Sequence, residues 1–520
     1  MVDVYDIDAV LVQFEARHIK CPDAIWINTE YVNTQSNNPY KDFSEKFSYV
    51  ATENQDKCFS QLESLEEMKL MLDAERYGGE GIAENGGGGR CGNLNGFQIK
   101  GIGKNPLVGS TKKFYSYGGL NARDAVYETI YGSILSKLLP VGVAKIIGVI
   151  FTSEHGAYNK FDENNPSAEE LGWGALLVRE ICLRPGHFFR SQFFVENENL
   201  SIRLSPDVVR TKLANLSLFN QLGSIDACVG YLKEFLNNCA DQFSYTKVFR
   251  ITHGGIYPSN LCFDGRWIDL TNASFINGGQ NVGGCPPFFE ESNAVISILQ
   301  EFIHNFTKYN DISLDEKELI NFYNEKKSAH FQRHVISLFS MQNERLDEST
   351  KHDVLGLFSS QVSAILHANP KLILRWPEKI INEDPIILLQ ESLFLSLANQ
   401  KASDEKLLKL RNIKGFSADV AVATFGRIAK NYFFRSKSSR TQFFDLFTVL
   451  AISSLKKSLF VEFFYKGRLG NYINDVIYNN PFNSGKLITD SISACEWIFE
   501  ATDNQKMRLY EGNNLTIGFD

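Results

Sequence analysis

Two hydrophobic periods divide this chain. Between residues 76 and 190 apolar residues come in short alternating or continuous runs separated by glycine-rich loops, whereas beyond about 310 they recur at helical spacing, as in FSADVAVATFGRIAKNYFF. A chain carrying both periods is expected to fold as a mixed α+β protein. At 520 residues it is also too long for one compact core, so several units are expected. The pattern suggests an N-terminal segment over 1–75 with no assignable role, a small α+β lobe over 76–190, a second lobe over 191–310 and a largely helical C-terminal extension over 311–520. Helices are predicted over Asn121–Leu139, Pro206–Leu222, Ser224–Asn238 and Ser292–Phe306, and a strand-rich insert over FRITHGGIYPSNLCFDGRWIDLTNASF, with Asp264-Gly265 as its hairpin turn.

Hydrophobic residues at 43% and charged residues at 22% are ordinary globular proportions. The formal charge of −8 argues against a general nucleic-acid binder, so any phosphate site has to be local. Nine cysteines without a C-x-x-C pair, an odd number, favour reduced thiols. The N-terminus has no basic region of the secretory kind. The longest apolar run, Leu138–Phe151, contains Pro140 and Lys145 and is too short to span a bilayer, so the expectation is a cytoplasmic protein without a membrane span.

Three segments carry residues suited to chemistry. NGGGGRCG, Asn85–Gly92, lets the backbone come close to a phosphate and places the fixed cation of Arg90 beside it; a tight turn suits the same glycines equally well. Lys100 lies on an alternating strand, FQIKGIG, on the same face as Gln98. A strand lysine is usually solvated unless a carboxylate meets it. Glu128 is the natural partner, because it shares an inward helical stripe with Leu135 and Leu139. In HGGIYPSNLCFDGRWID, Asn260 and Asp269 stand nine residues apart across the hairpin, and an amide oxygen with a carboxylate suits a hard cation such as Mg²⁺, although both are also common turn residues. His253 fits a hydrogen-bonded core histidine better than a ligand.

Taken in order, these pieces resemble the SelO family of protein-kinase-like AMP-transferases, over about Arg76 to Phe275. GGGGR looks like the family's Gly-Asp-Gly-Arg loop, which implies nucleotide contacts at Gly87, Gly89 and Arg90. FQIKGIGKNP looks like the strand of the ATP-binding lysine, Lys100, and YGGLNARDAVYETIYG like the next loop and helix, with Gly118 on the nucleotide and Glu128 holding the lysine. GALLVREICLRPGHFF resembles the element bearing two phosphate-binding arginines, Arg179 and Arg184, two residues closer together than in the family. HGGIYPSNLCFDGRWID resembles the catalytic segment, with Asn260 and Asp269 as metal ligands. The resemblance implies a bilobal kinase-like fold, ATP with Mg²⁺ or Mn²⁺ as cofactors, and nucleotidyl transfer in which the α-phosphate faces the acceptor. Lys100, Glu128 and Arg184 would carry the catalysis.

Two positions depart from that family. Ser259 stands where it has an aspartate proposed as general base, and Tyr117 where it has an acidic residue. Serine is no general base at neutral pH. A carboxylate acceptor needs none, since it is already ionised. The length and the GGGGR and RPGHFF segments also resemble the MceJ/MchC family of siderophore-microcin maturation proteins. That resemblance implies adenylation of a precursor peptide's C-terminal carboxylate, for ester linkage to a glycosylated catecholate siderophore, with an acyltransferase-like partner. AMP transfer to Ser, Thr or Tyr hydroxyls and a nucleotide-binding pseudokinase scaffold are the alternatives.

Overall fold

The computed structural model describes residues 2–499 except 21, 32–36, 54–55, 61, 110–116, 161–168, 198–201, 276–287, 368–383, 398–401 and 435–439. The fold is mixed α+β, and one large antiparallel sheet organises it. Its strands are β1 (Leu11–Ile19), β2 (Asp23–Ile27), β3 (Tyr49–Ala51), β4 (Ser64–Glu75), β5 (Cys91–Leu94), β6 (Phe97–Lys100), β7 (Ile146–Phe151) and, after a small hairpin of β8 (Ala157–Lys160) and β9 (Glu170–Gly172), β10 (Ala175–Glu180). They lie in the order β2-β7-β10-β6-β5-β4-β1-β3. The first 75 residues, which the sequence left without a role, therefore supply four of the eight strands.

Helices α1 (Pro39–Phe47) and α2 (Lys57–Ser60) come from that same stretch, and α3 (Ala122–Leu138) follows β6. All six residues of β7, IIGVIF, are buried. Ile146, Val149 and Phe151 pack with α3, while Ile147 and Ile150 pack with Phe43 and Phe47 of α1. Cover on both faces explains a continuous apolar run where a half-exposed strand would alternate. The α3 helix starts where Asn121 accepts the Asp124 N–H at 2.8 Å, one residue from the predicted start.

The remaining helices are α4 (Asp207–Leu222), α5 (Ile225–Phe249), α6 (Ala294–Asn310), α7 (Glu316–Leu338), α8 (Leu355–His367), α9 (Pro385–Leu397), α10 (Ala402–Leu410), α11 (Ala418–Phe434), α12 (Arg440–Phe463), α13 (Lys466–Asn479) and α14 (Ser484–Phe499). The last two return to pack on α3, which is why α3 is buried nearly all round. Among the described residues no helix is long and apolar enough to cross a membrane.

Three expectations need correction. The α5 helix runs eleven residues beyond Asn238, to Phe249, because no proline or glycine interrupts CADQFSYTKVF. The strand-rich insert forms one pair of two-residue strands, β11 (Ile251–Thr252) and β12 (Ser274–Phe275), with a tight turn between them. That turn is the expected one: Gly265 N–H donates to Cys262 O at 2.9 Å, and Leu261 bridges to Trp267. The thiols are not all reduced. Cys182 is disulfide-bonded to Cys262, with Cα atoms 5.9 Å apart, because the segment leaving β10 runs against the turn.

Candidate active site

The site grows from one polar face of the sheet. Asp73 pairs with Asn93, Asn93 with Gln98, and Gln98 with Arg179, a polar row across four antiparallel strands. One row along, Lys100 ends β6 between Cys91 and Leu177. Alternation along β6 thus puts Gln98 and Lys100 on one face, as the sequence predicts.

Lys100 is 1% exposed, and its Nζ donates to Glu128 Oε2 of α3 at 2.7 Å. It also donates to the Asp269 carboxylate. Arg179 takes the other oxygen of Glu128, Nη1 to Oε1 at 2.7 Å, and its Nε and Nη2 both donate to Gln98 Oε1, at 2.9 and 2.7 Å. Residues from four separate segments therefore converge on two carboxylates. Asp269 keeps its carboxylate at the mouth, 30% exposed, while Lys100 and Glu128 beneath it are sealed. Burial alone would raise the Asp269 carboxyl, but Lys100, Arg179 and Arg90 outweigh it and hold it well below the usual carboxylate range.

Arg184 leaves β10 through the loop RPGHF. Its Nη1 donates to the Ser259 carbonyl at 3.1 Å, Nη2 lies 3.5 Å from Glu75 Oε2, and the guanidinium sits over the Tyr77 ring at 5.1 Å. Its Nε is buried with no hydrogen-bond partner among the described residues. An orphaned cationic donor beside Arg179 and Lys100 suits an anionic ligand.

On the opposite wall, Asn260 Nδ2 donates to Gly255 O at 2.9 Å, which leaves Oδ1 as its acceptor; Ser259 Oγ donates to that oxygen at 3.2 Å. Ile268 N–H donates to Asn260 O at 3.1 Å, so the turn does bring residue 260 beside the segment that presents Asp269. Asp269 has φ 67°, a left-handed conformation that aspartate tolerates better than most residues but that its surroundings must hold. His253 is wholly buried and contacts the Ile268 carbonyl through Nε2 at 3.0 Å, next to Asp269 in sequence. It is a core histidine, as the sequence suggested.

Of the two readings open for the glycine loop, its amides fit the tight turn. Gly86 N–H donates to Leu107 O at 2.8 Å, Gly88 N–H to Glu75 O at 2.9 Å and Gly89 N–H to Gly87 O at 2.8 Å, so these amides serve the fold and are not aimed at a ligand. Gly87 has φ 146°, and a Cβ there would strike the Glu75 carbonyl. Gly118, at φ 87°, lies against the Gly103 backbone with no room for a side chain. What this segment offers the site is Arg90, which donates to Gly119 O at 3.4 Å and is kept protonated, despite burial, chiefly by Asp269. Tyr117 packs edge-on against Tyr158 at 4.8 Å, in an apolar cluster where an acid would be unfavourable.

Glu75, Gln98 and His187 form a supporting layer that sequence reasoning missed, although Gln98 had been placed on the face of Lys100. Gln98 Nε2 donates to Glu75 Oε1 at 2.6 Å. Arg184 N–H donates to His187 Nδ1 at 3.0 Å, so the imidazole proton sits on Nε2, which donates to Glu75 Oε2 at 3.0 Å. Burial alone would raise the Glu75 carboxyl; Arg184 and then His187 bring it down to about 2.

His253 gives the site a testable acid response. Burial pushes its pKa from the ordinary 6.5 down to about 4, so between those values the unfolded chain binds a proton that the folded state refuses. Stability should therefore fall as pH drops from 6.5 to 4, by about 3 kcal/mol from this group. Urea unfolding midpoints of the protein and of His253→Asn at pH 7 and pH 4.5 measure it. Equal pH dependence in the two would remove His253 as the cause.

No family model matches the chain, and no curated protein matches it either.

Proposed function

We propose that the chain binds ATP with Mg²⁺ or Mn²⁺ in a SelO-like, protein-kinase-like site. It uses that site to adenylate the C-terminal carboxylate of a microcin precursor peptide, for ester linkage to a glycosylated catecholate siderophore with an acyltransferase-like partner. The observation that carries this is the convergence of Lys100, Arg179 and Arg184 on Glu128, Asp269 and Glu75 beside a serine, not an acid, at position 259. Four cations, counting Arg90, surround these carboxylates, and one orphaned donor belongs to Arg184.

The oxygen donors suit a magnesium–nucleotide. Among the described residues no three His, Cys, Asp or Glu side chains are grouped to hold a metal by themselves. Magnesium commonly binds through one or two carboxylates and the substrate's own phosphates, so Asp269 with the Asn260 amide oxygen is a sufficient protein share. When bound, such an ion would supply charge neutralisation at the phosphates.

The protein's part is binding and orientation. Lys100, Arg179 and Arg184 hold phosphate oxygens and stabilise charge on the phosphorus under attack. In the adenylation, a carboxylate oxygen of the peptide forms a bond to the α-phosphorus, the α–β P–O bond breaks, and pyrophosphate leaves with the electron pair. No proton has to be removed from the acceptor, which makes Ser259 compatible with turnover.

Peptide-dependent ATP–pyrophosphate exchange tests the proposal. Exchange is expected with a free C-terminal carboxylate and should vanish with the C-terminal amide. Its absence with every partner present would leave the scaffold alternative, and AMP label on Ser, Thr or Tyr would favour the hydroxyl alternative.

A further inference from the structure

The helical region after residue 310 grips the segment that follows Asp269. Lys466 opens α13, and its Nζ donates to the Thr271 carbonyl at 2.9 Å and to Asn272 Oδ1 at 2.7 Å. Its own N–H donates to Ser274 Oγ at 3.0 Å, and Tyr465 bridges to Phe275. The five residues 271–275 that these contacts span begin two positions after Asp269.

The same five residues are tied to α3. Tyr127 Oη donates to Ala273 O at 2.7 Å, and Phe275 N–H donates to Tyr131 Oη at 3.1 Å. Tyr131 in turn donates to the Phe464 carbonyl, just before α13. Tyr127 and Tyr131 stack on each other and flank Glu128 in sequence. The α13 start, the Glu128 helix and the chain after Asp269 are therefore bonded into one unit.

Such support steadies Asp269, whose left-handed backbone has to be held by its surroundings. The lysine's placement fits this duty. Both its hydrogen-bond acceptors are neutral oxygens, and burial pushes its pKa down.

We propose that Lys466 is a positioning residue for the divalent-metal site: by gripping Thr271 and Asn272 it fixes the backbone that presents Asp269. The start of α13 thereby sets the affinity of the site for its metal. This rests on the proposal that Asp269 holds a divalent ion with ATP.

The test is Mg²⁺ titration of binding of a fluorescent, non-hydrolysable ATP analogue to the full chain. Lys466→Met should raise the Mg²⁺ needed for half-maximal binding about tenfold, the scale of losing a ligand's supporting contact. Nucleotide binding without metal should stay at the wild-type level, because Lys100, Arg179 and Arg184 are untouched, and Lys466→Arg should recover most of the Mg²⁺ response. Asn272→Ala removes one of the two contacts and should move the titration the same way; it decides the matter if Lys466→Met does not fold. Wild-type titrations in the folded variants, or an equal loss with and without metal, would overturn the positioning role. A wild-type chain with no Mg²⁺-dependent binding would instead remove the metal proposal itself, and this one with it.

Discussion

Replacing Asp269 with alanine is expected to lower peptide-dependent ATP–pyrophosphate exchange by about 10²–10³-fold or more while leaving the fold intact. The carboxylate is the partly exposed member of an otherwise sealed network. Its loss leaves Lys100 and Arg179 still paired through Glu128, while Arg90 loses the charge that chiefly offsets its burial. The charge left behind is positive. Affinity for ATP without metal should then hold or rise as turnover collapses, a split that a damaged fold would not give. Asp269→Asn keeps a residue that tolerates the left-handed backbone and should lose as much activity, which isolates the carboxylate charge as the cause. Exchange assays beside thermal melts and metal-free nucleotide titrations decide this; exchange that survives either substitution would sink the adenylation proposal.

The parts of this site legible in the sequence are the locally encoded ones. Alternation along β6 put Gln98 and Lys100 together, and the stripe of Glu128, Leu135 and Leu139 turned the carboxylate inward, so their meeting could be anticipated before any fold was known. The Asp264-Gly265 turn was equally local. What stayed open was non-local. The glycine loop's amides are taken by the carbonyls of Glu75 and Leu107, and glycine composition says nothing about such partners.

Strands β1–β4 are broken by polar segments, and their membership of the main sheet depends on pairings that no local period encodes. Lys466 lies 195 residues from Thr271, and a lysine at a helix start reads as solvated. Glu75 was missed for a different reason. It shares a strand face with Asp73, as a surface acid would, and is buried only because the RPGHF segment folds over it.

That burial makes Glu75 the expected site of the largest stability loss: Glu75→Ala should destabilise the protein by about 3–5 kcal/mol. The carboxylate is wholly buried, accepts from Gln98 Nε2 and His187 Nε2, and forms an ion pair with Arg184 Nη2 at 3.5 Å. None of these donors can be turned to suit a replacement. Gln98 is fixed in orientation because its oxygen already accepts from Arg179, and His187 is fixed in tautomer because Nδ1 already accepts from the Arg184 amide. A glutamine at 75 would point an N–H at one of these donors, so Glu75→Gln, though similar in shape, should still cost about 1–3 kcal/mol. The deficit should also depend on pH. Since the folded carboxyl lies at about 2 against an ordinary 4.5, its contribution is complete above 4.5 and disappears as pH falls through 2. Urea unfolding at pH 7 and pH 3 should therefore show the gap between wild type and Glu75→Gln narrowing in acid, and a gap that stays constant would mean that shape, not charge, is what Glu75 contributes beneath Arg184.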